Sequence, residues 1–493
     1  NIELDGWLNP SAPATVLGGS WIDGHQVGGG PTFEVRQPWS GEVVATVARA
    51  DADQVETAVA RAWSVRGELA GLPAHRRSAA LHQVATRMIE RIDEFARTIT
   101  LESGKPIRWA RTEVERAAAT FRWAAEEAAR WSGELQRLDT DPGTEGRLAL
   151  LRRVPRGPVL GITPFNFPLN LVAHKVAPAL AVGAPMVLKP APKTPLSALL
   201  LGQLIADCDL PTGAFALLTI ADADAPALVA DPRLPVVSFT GSGPVGWRIR
   251  DAVPRKHVAL ELGGNAAVLV CPDYTSEPDL IHAAQRVAMC ANYQGGQSCI
   301  SVQRVFVDRS VYEHFVELVV AAVGELRVGD PFDPSTDVGP LIDQAAAHRV
   351  QSWVEAAVAG GAQVLAGGRR DGSVVQPTVL TGARPDAAVV CDEIFGPVMV
   401  IDPVDGVDDG FRRINDSRFG LQAGVFTRDL TVAFRAHREL EVGGVIVGDV
   451  PTFRSEQMPY GGVKESGIGR EGVRSTMEDY TEVRTMVLSG IAL

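Results

Sequence analysis

Between residues 159 and 261, short runs of consecutive apolar residues alternate with longer stretches whose apolar positions recur every three or four residues. The runs at 159–163, 186–189, 216–220, 236–239 and 257–261 have strand length. Being apolar on both faces, they predict strands covered from both sides. The segments 169–181, 195–208 and 245–253 between them carry helical spacing. Strands alternating with helices predict a parallel, doubly wound sheet, which collects ligands at the carboxyl ends of its strands. Three turns fall there: Pro164-Phe165-Asn166-Phe167-Pro168, Lys189-Pro190-Ala191 and Thr240-Gly241-Ser242-Gly243.

Upstream, residues 19–48 read as short strands about a Pro38-Trp39-Ser40-Gly41 turn, followed by helices at 51–66, 74–101 and 106–131. Asp51, with Gln54 three residues later, has the form of a capping box. The stripe Trp109, Phe121, Trp123 and Trp131 is expected to serve core or subunit packing. At 139–146 the composition shifts to Asp, Thr, Pro and Gly, and a strand at 147–155 follows, which together predict a hairpin excursion. A second α/β run extends from 266 to 450, and 479–493 alternates as one further strand.

A chain of 493 residues exceeds one ordinary core, so two or three domains are expected. Its 46% hydrophobic and 22% charged residues are those of a soluble globular protein. A formal charge of −12, with no basic run, excludes nucleic acid and anionic membrane as partners and leaves small molecules. The longest apolar run, 176–188, is 13 residues with two prolines, too short to span a bilayer. The five cysteines (Cys208, Cys271, Cys290, Cys299 and Cys391) are odd in number, lack CxxC spacing and have no His placed to complete a metal site. Free thiols and the lack of a signal pattern point to a reducing cytoplasm.

One thiol stands apart. Gln294-Gly295-Gly296-Gln297-Ser298-Cys299 is a glycine-softened turn ending a helical segment, able to bring backbone amides close to an oxygen on the attacked carbon. Alone, the hexapeptide fits a buried, inert cysteine as well as a nucleophile. Gly241-Ser242-Gly243-Pro244-Val245-Gly246 fits GxGxxG between a strand and a helix. On that pattern Glu261, 20 residues after Gly241, is a candidate for an adenosine ribose.

Seven segments occur in order: PFNFP at 164–168, LKPA at 188–191, FTGS at 239–242, LELGG at 260–264, GQSC at 296–299, EIFGP at 393–397 and PYGGVKESGIGREG at 459–472. Through them the chain resembles the aldehyde dehydrogenase superfamily over essentially its whole length. The resemblance implies an α/β fold with a Rossmann-like dinucleotide domain from 1–132 and 152–261, a catalytic domain from 262–475, and an oligomerisation segment from 133–151 and 476–493. It implies NAD(P)-dependent oxidation of an aldehyde to an acid by a homodimer or homotetramer. Cys299 would be the nucleophile, forming a thiohemiacetal and then a thioester. Asn166 would hold the oxyanion, and Glu261 would activate the hydrolytic water. Thr163, Pro164, Phe165, Phe239, Thr240, Gly241, Ser242, Gly246, Leu262 and Gly263 would line the cofactor. Lys189 would bond the adenosine ribose, and Glu393 with Phe395 the nicotinamide end. Glu471 is a candidate second carboxylate near the water.

Pro192 stands where many NAD-preferring relatives carry a ribose-binding glutamate, and Lys193 follows it, so NADP is compatible as well as NAD. Asn292 and Ser298 are candidate tunnel residues. Phe165, NLVAHKVAPAL and CISVQR resemble the branch acting on lactaldehyde, glyceraldehyde 3-phosphate without phosphorylation, and phosphonate aldehydes. Arg108, Arg111 and Arg454 are candidate anchors for an anionic substrate. Coenzyme A acylation, a thiol hydrolase without redox chemistry, and a catalytically silent binding or structural homologue are the alternatives. The general-base glutamate counts against the first, and retention of Cys299, Glu261 and Asn166 against the last.

Overall fold

The computed structural model describes residues 16–490. Five strands, His257–Glu261, Val236–Thr240, Val159–Ile162, Met186–Lys189 and Phe215–Leu217, lie side by side and parallel in that spatial order. Their side chains are buried almost throughout, which is why they read as unbroken apolar runs. The antiparallel strands Ser20–Ile22 and His25–Val27 extend one edge, and the two-residue strand Gly467–Ile468 covers the other. A second sheet of seven strands runs Gln363–Ala366, Thr378–Thr381, Val398–Val404, Arg304–Asp308, Ala267–Val270, Gln422–Phe426, Gly444–Val447, all parallel except the first.

A third sheet joins Glu134–Arg137, Arg147–Pro155 and Thr481–Ser489, with the long middle strand pairing antiparallel to both others. The expected tail at 479–493 is thus a strand, of which 491–493 lie outside the described residues, as do 1–15 of the expected first domain. The expected boundary at 475 does not follow the packing. Gly467–Ile468 pairs with His257–Glu261, and Val473, Met477 and Tyr480 enter the core built on the first sheet. The chain therefore crosses back to its first lobe before residue 475.

The capping box at Asp51 is formed in both directions, and its helix, Ala52–Gly71, runs past the expected 66. The single helix expected at 74–101 is two, Ala74–Glu90 and Ile92–Ser103. The break is at Arg91, whose backbone leaves helical geometry while its guanidinium grips Glu94 at 2.5 Å. Apolar spacing continues through the break, so periodicity could not mark it. In the aromatic stripe Phe121 is fully buried, and Trp123 and Trp131 pack half-buried on the same core.

Every residue of Asn170–Val182 is buried, His174 and Lys175 included. A charged group in such a helix needs partners, and those partners lead to the site. Among the described residues, no helix is long and apolar enough to cross a membrane, and no cluster of His, Cys, Asp and Glu is placed to hold a metal.

Candidate active site

A cavity of about 330 Å³ opens between the two large sheets and is lined by Cys299, Asn166, Glu261, Glu393, Arg454 and Tyr460, among others. Cys299 reaches it from the end of helix Glu277–Asn292 through three successive left-handed residues, Gln294, Gly295 and Gly296, with φ of 54°, 63° and 68°. Gly296 is required as well by space: a Cβ there would overlap the carbonyl of Gly396, so the 393–397 loop rests directly on this turn. Gln294, an uncommon non-glycine in this region, is held by its side-chain amide donating to the carbonyl of Asn166. Gln297 ties the turn down from the other side, accepting from the Ile342 amide at 2.9 Å.

The Cys299 sulfur is partly open to the cavity and lies 2.8 Å from the Tyr460 hydroxyl. Burial pushes its thiol up to about 12; the Tyr460 hydrogen bond and Arg454 oppose this, and Glu393 and Glu261 add to it. A thiol raised this far yields thiolate only with the help of a base. Asn166 donates one amide hydrogen to the Gln297 carbonyl at 2.9 Å, leaving its second free.

Two carboxyl groups are shifted in opposite directions. Burial, reinforced by the Glu471 charge, raises Glu261 well above the usual carboxylate range, and its Oε2 is buried without a partner. Burial acts on Glu471 too, but Lys175 and Arg454 outweigh it and hold that carboxyl well below the usual range. Arg454 donates to one Glu471 oxygen at 2.9 Å and Lys175 to the other at 3.4 Å. A carboxyl raised by burial beside a carboxylate held ionised by two cations is the arrangement that separates acid and base roles. Glu261 shares this cavity with Cys299, so the reading that put it on an adenosine ribose is not met.

Glu393 accepts from the Gly264 amide at 3.1 Å, and burial pushes it up to about 7. Gly263 permits that approach, since a Cβ would lie 2.7 Å from the Glu393 carboxyl carbon. Phe395 meets Phe165 edge-on at 5.9 Å.

Of the residues expected at the cofactor, Pro164, Phe165, Thr240, Gly241, Ser242, Leu262, Gly263, Glu393 and Phe395 line the cavity, whereas Thr163, Lys189, Pro192, Phe239 and Gly246 do not. Phe239 and Gly246 lie beneath it. A Cβ at Gly241 would come within 2.6 Å of the Phe239 ring and one at Gly246 would overlap Leu262, while Gly243 faces open space. Gly241 and Gly246 of the GxGxxG pattern thus serve packing under the start of helix Gly243–Ala252. Buried Lys189 holds exposed Asp222 at 2.6 Å, and Lys193 is paired with Asp343 across to the second lobe. A dinucleotide fits this face nonetheless. The hydroxyls of Thr163 and Thr240, at the ends of adjacent parallel strands, are buried and unpartnered. Ser242, at the N-cap of helix Gly243–Ala252, caps no backbone amide, leaving its hydroxyl and the Gly243 N–H for an anion.

Arg108 and Arg111 pair with Asp337 and Asp93 outside the cavity, so only Arg454 of the three expected arginines faces it. Asn292 is buried on the Ala288 carbonyl and does not line it, whereas Ser298 does. Sequence reasoning missed Arg116, Tyr460 and Glu456. Glu456 accepts from Arg116 and His174 at 2.5 Å each, and these contacts outweigh burial to keep it well below the usual carboxylate range. Arg116 is one of several arginines of its helix, with nothing local to single it out; Tyr460 lies in the segment at 459–472, where nothing nearby in sequence pairs its hydroxyl with Cys299.

A thiol, a raised carboxyl and an amide donor at the seam of two parallel sheets define a cysteine-centred α/β enzyme. The chain belongs to the aldehyde dehydrogenase family, whose profile matches residues 21–486. It is 41% identical over 472 residues to a 3-sulfolactaldehyde dehydrogenase of Priestia aryabhattai, covering 96% of this chain and 98% of that one. Among solved structures, aldehyde dehydrogenase 21 of Physcomitrella patens, in complex with the reaction product succinate, matches with a TM-score of 0.95 and 41% identity, over 97% of this chain and 99% of that one. The glyceraldehyde-3-phosphate dehydrogenase GapN of Methanocaldococcus jannaschii, complexed with NADP, matches with a TM-score of 0.88 and 35% identity, over 93% and 99%.

Proposed function

We propose that the chain oxidises short aldehydes bearing an acidic group to carboxylic acids, using NAD or NADP. The observation that carries the substrate class is the charge of the cavity wall. Arg454 spends one amine on Glu471 and Arg116 its Nε on Glu456, so both keep guanidinium donors for an anion in the cavity they line. The relatives agree in kind: sulfolactaldehyde carries a sulfonate, and succinate is the acid of an aldehyde that keeps a carboxylate.

In this reading the Cys299 sulfur adds to the aldehyde carbon, and the charge moves to the carbonyl oxygen. Asn166 and the Cys299 amide hold that oxygen. When bound, the dinucleotide supplies the two-electron acceptor that leaves a thioester on Cys299. Glu261 takes a proton from water as the water oxygen adds to the thioester carbon. The carbon–sulfur bond then breaks, giving acid and free thiol. Its raised pKa suits Glu261 to accept that proton, and the fixed charge of Glu471 keeps it raised.

Thr163, Thr240, Ser242, Lys189 and Glu393 are assigned to the dinucleotide. Pro192 leaves room for a 2′-phosphate, with Lys193 able to exchange Asp343 for it. The third sheet is assigned to association with a second copy. Leu135 and Met486 on one face of it, and Val483 and Val487 on the other, are each at least half exposed, apolar surface that calls for a cover. Free cysteines fit a reducing cytoplasm.

The test is reduced-cofactor absorbance with succinate semialdehyde, sulfolactaldehyde, lactaldehyde and a neutral aldehyde, in NAD and in NADP. Turnover of the acidic aldehydes that is abolished in Cys299→Ala is expected. Equal turnover of neutral and acidic aldehydes would overturn the substrate class, and turnover surviving in Cys299→Ala would overturn the nucleophile.

A further inference from the structure

Tyr460 has no part in the scheme above, yet it makes the closest polar contact to the reacting atom. Its ring is buried against Ile300 and Leu421, and its oxygen lies 2.8 Å from the Cys299 sulfur. Among the hydrogen bonds of the described residues, none other reaches either atom. The Arg454 guanidinium sits over the ring, 4.0 Å from its centroid.

We propose that the Tyr460 hydroxyl is a catalytic group, donating a hydrogen bond to the Cys299 sulfur once that sulfur has lost its proton, and so setting how much thiolate the site holds. The inference rests on Cys299 being the nucleophile.

While the sulfur is protonated, either atom can donate. When the thiol proton passes to a carboxylate of the cavity such as Glu261, the S–H bond breaks and an O–H bond forms there. The sulfur keeps the electron pair and can only accept. Tyr460 is then the sole donor in reach among the described residues. It stays a donor because burial, with Cys299 adding to it, raises its own ionisation well above the ordinary tyrosine range. The phenol therefore keeps its proton and does not act as the base. Of the charged groups facing the thiol, Glu393 in the 393–397 loop and Glu261 at its strand end oppose thiolate, and Arg454 favours it. As the sulfur adds to the aldehyde carbon, its pair enters the new C–S bond and the charge leaves for the carbonyl oxygen. The hydrogen bond then weakens, so Tyr460 governs the supply of thiolate.

The experiment is the rate of Cys299 alkylation by iodoacetamide between pH 7 and 10 in the full-length protein, with the labelled cysteine identified by peptide mass. Tyr460→Phe removes one oxygen and keeps the ring beneath Arg454. Alkylation is expected to fall about tenfold at each pH, the equivalent of one unit in the thiol. 3-Fluorotyrosine at 460 keeps the shape but is a stronger donor, and it is expected to raise the rate. Because the fluorotyrosine protein keeps the parent's packing, an acceleration there reports the donor rather than a loosened site. An unchanged rate in the Phe variant, or a fluorotyrosine protein no faster than the parent, overturns the proposal. Turnover retained in Cys299→Ala would instead sink the nucleophile reading on which it rests.

Discussion

Arg454→Lys keeps the positive charge of the cavity wall and removes its fork. In the parent, Arg454 gives one amine to Glu471 at 2.9 Å and keeps the other for the cavity it lines, in a side chain only 6% exposed. Two acceptors, Glu471 and a substrate anion, can be served at once only by a planar group with separated donors. A lysine ammonium at this place must favour one of them. The expected loss is one charge-assisted hydrogen bond, about 1.5–3 kcal/mol. At about 1.4 kcal/mol per factor of ten, kcat/KM for succinate semialdehyde should fall roughly 10- to 150-fold. Butanal, of equal chain length and no charge, loses nothing at that contact and should change less than about threefold, because Glu471 still has Lys175. Initial rates of cofactor reduction with the two aldehydes give the ratio directly. Equal losses with both would refute the reasoning: Arg454 would then act through Glu471 and Glu261, on water rather than on the substrate anion.

Glu393, pushed up to about 7 by burial, is protonated below that pH and a full acceptor above it, so dinucleotide affinity should rise between pH 6 and 8 in the parent and stay flat in Glu393→Gln, read by fluorescence titration. The same shift has a stability sign: between 4.5 and about 7 the native chain holds a proton that the unfolded chain has released, so this group makes stability fall as pH rises through that window. Gly263→Ala places a methyl against the Glu393 carboxyl and should weaken dinucleotide binding; truncation to Glu393→Ala in the same chain should relieve the clash and leave Gly263→Ala without further effect. Lys105 and Glu113 form a fully buried pair that also accepts the amides of Leu169 and Asn170, so Lys105→Met should cost about 3–5 kcal/mol, seen as a lower inactivation temperature, with part recovered on adding Glu113→Gln. Lys193→Ala should lower the NADP:NAD ratio of kcat/KM; an unchanged ratio would leave Lys193 as a tie between lobes only.

The strands Met186–Lys189 and His257–Glu261 were legible to the residue because burial on both faces leaves an unbroken apolar run. The turns carrying Asn166 and Cys299 were legible as ordered motifs. What stayed hidden was long-range. Thr120, Asn170 and His174 meet Glu456 across more than 280 positions of chain, and nothing in the neighbourhood of any one of them announces the others. The anionic anchor was spread over three arginines because local sequence cannot tell one already bound to an aspartate, as Arg108 and Arg111 are, from one with a donor to spare. The tie from Lys193 was hidden in the same way, since its partner Asp343 lies 150 residues on. The break at Arg91 is set by a guanidinium–carboxylate grip that leaves the hydrophobic spacing intact.

The return of residues 467–480 to the first sheet bears on how the enzyme is made. A nascent chain emerges from its amino end, so Cys299, Asn166 and Glu261 are all translated long before Tyr460, Arg454 and Glu471. Until the last of these arrives, the strand ending in Glu261 has an uncovered edge, Lys175 lacks its carboxylate, and the thiol lacks its phenol. No amino-terminal fragment, however well its first sheet forms, contains a complete reaction centre. The two lobes are thus sewn together by their final stitch, and a chain cut short before it would carry Cys299 without Tyr460, Arg454 and Glu471 around it.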